Sequence, residues 1–222
     1  MKIRVVLVGL GHIGQRHAKI IQSLEAFELV ATIDPVNLGL GSIPHFKSLE
    51  DFMEAGVSAD LVSIATPNHL HAPLAQSALK NGFHVVVEKP LAIHVEDAKK
   101  LYETSIQANK EIFLVMQNRF NPIVKWLKEV MVQEKLGKIF MVQVNCFWNR
   151  GTSYYQPNSW KGKKEQDGGV LLTQFSHYLD ILYWLMGRWE VTFIEESNVA
   201  HQGITEFNDT GLVGLKFADG AI

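Results

Sequence analysis

Apolar runs broken by glycine, proline and polar residues recur through the first half of the chain. Ile3–Val8 is an apolar run that ends in glycines, the pattern of a strand buried on both faces. A helix is predicted near 12–24, then a second apolar run over 29–33 that Asp34-Pro35 closes. A Gly/Pro-rich loop covers 35–44 and a short helix 49–55. Three further strands are predicted at 61–65, 85–87 and 112–116, with helices at 72–81 and 95–109 between them. Repeated β-α-β units of this kind predict a doubly wound parallel sheet.

The texture changes after Gln117. A helix is predicted over 123–134, a long strand over 139–148, and a polar, aromatic loop over 149–167. One continuous helix over 169–186 follows, with Gly187 as its C-cap, and then strands at 191–197 and 211–217. This grouping predicts an α+β domain with a mostly antiparallel sheet. The expected division is a Rossmann-type domain over 1–117 and an α+β domain over 118–222. Residues 219–222 resemble a hairpin turn whose second strand has barely begun, so the sequence is expected to be cut short there.

Composition narrows the function. The 222 residues carry 21 Lys+Arg against 23 Asp+Glu, a formal charge of -2, which offers no electrostatic footprint for nucleic acid or an anionic membrane. The single cysteine, Cys146, excludes a disulfide framework and a Cys-rich zinc site, and is expected to be a buried strand residue. No run approaches the roughly 18 apolar residues of a membrane span, and the opening apolar run is too short for a signal peptide. The expectation is a soluble, cytoplasmic globular protein. Leu182, Trp184 and Leu185 are expected in a core.

Gly9-Leu10-Gly11-His12-Ile13-Gly14 joins the first strand to the first helix. The first glycine permits a tight turn, the second lets backbone approach a pyrophosphate, and the third lets helix and strand pack closely. Helix amides from His12 and Ile13 onward supply the donors. Asp34 ends the next strand 20 residues after Gly14, where a carboxylate accepts from the adenosine ribose and favours NAD over NADP. The alternative is an ordinary glycine turn.

Two segments fall at carboxyl ends of later strands, where open α/β sheets bind ligands. Thr66-Pro67-Asn68-His69-Leu70-His71 is either part of that site or a polar turn capped by Asn68. His69 and His71 are two residues apart, which sends them to different helix faces and argues against a metal. In Glu88-Lys89-Pro90, Lys89 is either solvated or holds a substrate hydroxyl and stabilises a developing alkoxide. A cis bond before Pro90 would turn the chain sharply there.

These segments, together with Asn118-Arg119-Phe120-Asn121-Pro122 and Gly168-Gly169 followed by His177, resemble the Gfo/Idh/MocA oxidoreductase family. The resemblance implies a Rossmann domain beside a mostly antiparallel sheet domain, oxidation or reduction of a sugar or cyclitol at a secondary hydroxyl, and a homodimer or homotetramer joined through that sheet. It places Lys89 beside nicotinamide and substrate and makes His177 the proton-transfer residue. Thr66, Pro67, Asn68, His71, Glu88, Gln117 and Arg119 come to lie around the cofactor. Many relatives carry an aspartate four residues before the histidine, where this chain has Thr173 followed by Gln174. Arg150-Gly151, Tyr154-Tyr155, Ser159-Trp160-Lys161-Gly162 and His177-Tyr178-Leu179-Asp180 are similar to bacterial UDP-N-acetylglucosaminuronate 3-dehydrogenases, which implies a nucleotide-sugar substrate.

An imidazole with a pKa near 6.5 suits removal of a hydroxyl proton at neutral pH. On one helix, Thr173 at i-4 and Asp180 at i+3 would share the face of His177, and Asp180 would orient the ring, contact substrate or simply lie on the helix surface. Arg150 and Lys161 with Tyr155 and Trp160 would hold a diphosphate and stack a uracil, or form a solvated surface or subunit contact. A free-sugar or cyclitol dehydrogenase and a non-catalytic NAD-sensing regulator remain the alternative functions.

Overall fold

A computed structural model describes residues 1–36, 40–156 and 159–222. Residues 37–39 of the Gly/Pro-rich loop and 157–158 of the aromatic loop lie outside the described residues. The chain divides into two compact units, Met1–Val115 and Met116–Ile222.

In the first unit, β1 (Ile3–Val8), α1 (His12–Ser23), β2 (Phe27–Ile33), β3 (His45–Phe46), α2 (Leu49–Glu54), β4 (Leu61–Ile64), α3 (His71–Lys80), β5 (His84–Val87), α4 (Val95–Ala108) and β6 (Ile112–Leu114) follow in order. All six strands are parallel, in the order β3-β2-β1-β4-β5-β6. That is the doubly wound order, with its switch point between β1 and β4. Side-chain alternation sorts the core into two layers. Val6, Val8, Val62, Ile64, Val85 and Val87 pack with Leu49 and Phe52 of α2, Ala75, Ala78 and Leu79 of α3, and Leu101 of α4. Leu7 turns to the other face and packs with Leu10 and with Ala18 of α1. Gly14, Ala18 and Ile21 form the buried stripe of α1, and two small residues there let the helix lie close to the sheet. The two-residue strand β3 is absent from the sequence expectation.

The second unit comprises α5 (Pro122–Val132), α6 (Lys164–Asp167), α7 (Val170–Thr173), α8 (Ser176–Met186), β7 (Trp189–Ser197) and β8 (Thr210–Phe217). Asn121 caps α5 by accepting the Ile123 N–H at 3.0 Å, and Pro122 occupies the first helical position. β7 and β8 form an antiparallel pair. Leu182, Phe217 and Ala221 form its small core, against Val142, Val144, Trp189 and Leu215. Trp184 and Leu185, expected in a core, are only half-buried.

Two expectations fail here. Residues 139–148 make no ladder among the described residues, although Val142, Val144 and Cys146 are half-buried and their neighbours 141, 143, 145 and 147 exposed. Backbone pairing along this stretch is limited to Val142 N–H to Ile222 O (2.8 Å) and Ile222 N–H to Phe140 O (3.2 Å). The alternation is that of a strand, but no other segment among the described residues pairs with it in a ladder. The helix expected over 169–186 is broken between α7 and α8. Phe175 N–H reaches back five residues to Val170 O at 2.9 Å, which widens the turn and resets the helix. Gly187 does close α8, with φ +82°.

No helix among the described residues is long and apolar enough to cross a membrane. Among them, too, no three His, Cys, Asp or Glu side chains cluster to hold a metal ion.

Candidate active site

The glycine turn takes its shape from three different constraints. Gly9 follows β1 with φ +90°, and a Cβ there would lie 2.6 Å from the Ala65 carbonyl oxygen at the end of β4. At Gly14 a Cβ would lie 1.8 Å from Gly9 O, so α1 can start this close to the turn only without a side chain. Gly11 is exposed, and a Cβ there would meet nothing within 4 Å. Gly11 caps α1 without a side-chain bond, and the amides of His12, Ile13 and Gly14 precede the first intrahelical donor, Gln15. Open backbone, free amide positions and a helix N-terminus together fit a pyrophosphate. Asp34 closes the cradle from β2. Its Oδ2 accepts the Leu10 N–H at 2.7 Å and its Oδ1 the Val36 N–H at 2.9 Å. Each oxygen keeps a lone pair for a ribose hydroxyl.

Thr66 lies against Gly9, with Cγ2 3.0 Å from where a Cβ of that glycine would sit. Asn68 is buried inside a 3-10 turn, Asn68–Leu70, and does not cap α3; the turn begins after Pro67. His71 departs further from expectation. It is 1% exposed, with Nδ1 2.6 Å from Pro90 O and Nε2 3.0 Å from Thr66 O. Both of its ring nitrogens lie against backbone carbonyls. Burial drives its pKa down, against the two carbonyls and the charge of Glu88, which favour the cation. The Lys89-Pro90 peptide is cis, and Lys89 is half-buried just past the end of β5.

Glu88 meets a residue that the sequence reading missed. His17 Nε2 donates to Glu88 Oε1 at 3.0 Å, and His17 Nδ1 lies 2.9 Å from Ser63 Oγ. Burial alone would push the Glu88 carboxyl up. The His17 hydrogen bond and charge, the Lys89 N–H and the Lys89 charge outweigh it and hold the carboxyl below its usual range. The available signal was position: His17 is three residues after Gly14, on the face of α1 that turns to the sheet.

In the second unit, Gln117 is exposed and opens a 3-10 turn, Gln117–Phe120. Arg119 in that turn binds Asp180 with Nε to Oδ2 at 2.7 Å and Nη2 to Oδ1 at 2.5 Å, a bidentate pair. Asp180 is therefore committed to Arg119 and is not a lone carboxylate that orients His177. His177 is 6% exposed in the first turn of α8. Thr173 is on α7, across the helix break, so it does not share a continuous helical face with His177. Gln174, in the break itself, is 9% exposed, and its Oε1 has no hydrogen-bond partner among the described residues. Gly168 and Gly169 take φ +92° and +89°, so this turn needs glycine for its backbone, while Gly169 packs on Phe207.

Arg150 lies between two rings, its guanidinium carbon 4.6 Å from the Trp148 centroid and 4.5 Å from that of Tyr154. Lys161 Nζ is 3.9 Å from the Tyr154 centroid. Neither cation has a carboxylate partner among the described residues. Tyr155, expected to face a ligand, is 7% exposed and packs edge-on against Tyr154, His201 and Phe207. Burial pushes both phenols up, which keeps them neutral. Trp160 is half-buried. His201 bonds Arg150 O through Nε2 (2.6 Å) and Asp209 through Nδ1 (2.7 Å), so the Arg150 segment is anchored to the loop between β7 and β8.

Residues 3–116 match the profile of an oxidoreductase family with an NAD-binding Rossmann fold, and residues 124–222 match a GFO/IDH/MocA C-terminal domain. The WlbA dehydrogenase of Bordetella pertussis, solved with NADH and UDP-GlcNAcA, is 38% identical with a TM-score of 0.93, over 100% of this chain and 69% of its own. The WlbA dehydrogenase of Chromobacterium violaceum, solved with the same two ligands, is 36% identical with a TM-score of 0.93, over 99% and 65%. A 2,7-anhydro-N-acetylneuraminate hydratase of Mediterraneibacter gnavus is 30% identical over 96% of this chain. The chain spans 58% of that hydratase's length. On the strength of both profile matches, the chain belongs to the Gfo/Idh/MocA oxidoreductase family and contains its NAD-binding Rossmann domain.

Proposed function

We propose that the protein is an NAD-dependent dehydrogenase that oxidises a secondary hydroxyl of a nucleotide sugar. The observation that carries this reading is the open glycine cradle with Asp34 at its rim, in a chain similar along its whole length to dehydrogenases solved with NADH and UDP-GlcNAcA. Residues 1–117 hold the dinucleotide through Gly9, Gly11, His12, Ile13, Gly14, Asp34, Thr66, Pro67, Asn68 and Glu88; the family resemblance assigns Gln117 and Arg119 to the same cofactor. When bound, the nicotinamide supplies a two-electron acceptor for the carbinol carbon. Lys89 donates a hydrogen bond from its ammonium to the reacting hydroxyl oxygen and stabilises the negative charge that develops there. His177 takes the hydroxyl proton, as a neutral imidazole can near pH 7.

Residues 118–222 hold the sugar. Arg150 and Lys161, two cations around one tyrosine and without carboxylate partners among the described residues, suit the charge of a diphosphate. Gln174 offers its amide to the sugar or its carboxylate, Thr173 and Trp160 contribute to the same substrate site, and Asp180 acts there through its bidentate pair with Arg119. The β7–β8 pair leaves Val191, Phe193, Ile194 and Leu212 more than half exposed, a surface suited to joining copies into a dimer or tetramer.

The test is NADH formation at 340 nm by the intact protein with UDP-N-acetylglucosaminuronate or a free cyclitol. Turnover of the nucleotide sugar supports the reading. Turnover of the free cyclitol alone moves the substrate class, and NAD binding without turnover of any sugar overturns the dehydrogenase reading.

A further inference from the structure

Lys89 stands between two neighbours that are each gripped from inside the first unit by an imidazole. Before it, Glu88 Oε1 accepts from His17 Nε2 at 3.0 Å, and Glu88 Oε2 accepts the N–H of Lys89 itself at 3.3 Å. After it, Pro90 O lies 2.6 Å from His71 Nδ1. His17 is tied to a second strand end as well, Ser63 Oγ on β4. His71 Nε2 lies 3.0 Å from Thr66 O just beyond that strand, and the single N–H of the neutral ring goes to Pro90 O, the shorter of its two carbonyl contacts. The two approach from opposite faces of the sheet. His17 is on α1, which packs with Leu7, whereas His71 opens α3, which packs with Val6 and Val8.

We infer that His17 and His71 are positioning residues that fix the backbone of Lys89 from both faces of the sheet, and so set where its ammonium is presented. The inference deepens the proposed function and rests on the role given to Lys89 there. A carboxylate only accepts hydrogen bonds, so the ring nitrogen facing Glu88 carries a proton, while the Ser63 hydroxyl can serve the other nitrogen as donor or acceptor. Residue 89 lies beyond the last ladder residue of β5, so strand pairing does not hold it. Side-chain bonds to residues 88 and 90 supply what the ladder does not. The helix that carries His17 also carries the glycine turn at its start, so one rigid element registers Lys89 against the dinucleotide cradle. Displacement of a reacting group by 1 Å costs on the order of a hundredfold in rate, which is the scale on which such a brace acts.

The test compares the intact wild-type protein with His17→Ala, His17→Gln and Lys89→Ala, using NAD and UDP-N-acetylglucosaminuronate as probes. His17→Ala is expected to lower kcat by roughly ten- to a hundredfold, with NADH affinity, followed by fluorescence, little changed. His17→Gln, whose amide can still donate to Glu88, is expected to recover most of that loss, which a merely structural role would not predict. A second readout is independent of turnover and of variant folding. In the 15N histidine spectrum of the wild-type protein without cofactor, the Nε2 of His17 is expected to be protonated. Wild-type kcat in His17→Ala, when Lys89→Ala abolishes turnover, overturns the brace and leaves the proposed function standing. Full turnover in Lys89→Ala overturns the role of Lys89 instead, and a His17 ring protonated at Nδ1 alone overturns the hydrogen-bond assignment on which the brace depends.

Discussion

Gly11→Ala and Gly14→Ala add the same methyl group three residues apart, and only the second should cost stability as well as cofactor affinity. At Gly14 the new carbon would lie 1.8 Å from Gly9 O and 2.8 Å from Gly9 C. Non-bonded atoms need roughly 3.5 Å, so α1 has to retreat by more than 1 Å and loosen the contacts of Ala18 and Ile21. Overpacking of this kind costs about 1–3 kcal/mol, and at about 2–4 °C per kcal/mol for a chain of this size the expected fall in Tm is about 2–12 °C. The first-turn amides move with the helix, so NADH affinity falls too. At Gly11, φ is -64° and ψ -169°, extended backbone that alanine adopts, and the added carbon meets nothing within 4 Å. Stability should stay within about 1 kcal/mol of wild type, while the methyl enters the space where a pyrophosphate approaches the backbone. A tenfold or greater loss of NADH affinity, about 1.4 kcal/mol or more, is expected. Thermal denaturation and NADH fluorescence titration measure the two effects separately. Wild-type NADH binding by Gly11→Ala would refute the cradle, and a wild-type Tm for Gly14→Ala would refute the close helix approach.

Three further outcomes follow from the buried polar groups. Burial pushes the Asp209 carboxyl up, but the N–H of Val199, the His201 ring, the Thr210 hydroxyl and the N–H of Ala200 outweigh it and hold it far below the usual range. Its contribution is thus complete above the ordinary carboxylate pKa and lost as pH falls below it; Asp209→Asn should cost about 3 kcal/mol at pH 7 in urea denaturation and flatten the acid slope. Burial holds the folded-state pKa of His71 below 6.5, so its contribution is present above that pH and lost as pH falls toward the depressed value, because the unfolded chain takes up the proton first. Melts from pH 7.5 to 5 should show a fall in Tm that His71→Gln reduces. A double-mutant cycle on Arg119→Ala and Asp180→Ala should give a coupling of about 1–2 kcal/mol, above that of an exposed pair, because Asp180 is only 12% exposed; a coupling near zero would show that the bidentate geometry contributes nothing.

The parallel sheet was legible because its strands are buried on both faces, so that apolar runs alone bound β1, β2, β4 and β5 to within two residues. The glycine turn was equally legible, since Gly9 and Gly14 each answer a local demand of the backbone. What escaped is long-range. The two residues of β3 carry no periodicity, and they are held by Thr32 N–H to Pro44 O and Asp34 N–H to Phe46 O, bonds that no local pattern announces. The stretch 139–148 alternates as a strand does, but pairing is a property of two segments. The break before α8 depends on one carbonyl, Val170 O, that receives the N–H groups of both Gln174 and Phe175. His17 lies 46 residues from Ser63 and 71 from Glu88 along the chain, so nothing near it in sequence marks its part. Tyr155 and His71 misled for the converse reason: a polar tip in a motif suggested a ligand, and the fold uses each ring as packing or as a clasp.

Asp34 gives the first unit an unusual economy. One carboxylate holds Leu10, in the middle of the glycine turn, and in the proposed function also accepts from the ribose of the dinucleotide. On that reading cofactor preference and loop architecture are not separable traits. A redesign toward phosphorylated dinucleotides that merely exchanges Asp34 for a small or basic residue also strips an acceptor from the Leu10 amide, and a successful swap has to bring a replacement acceptor with it.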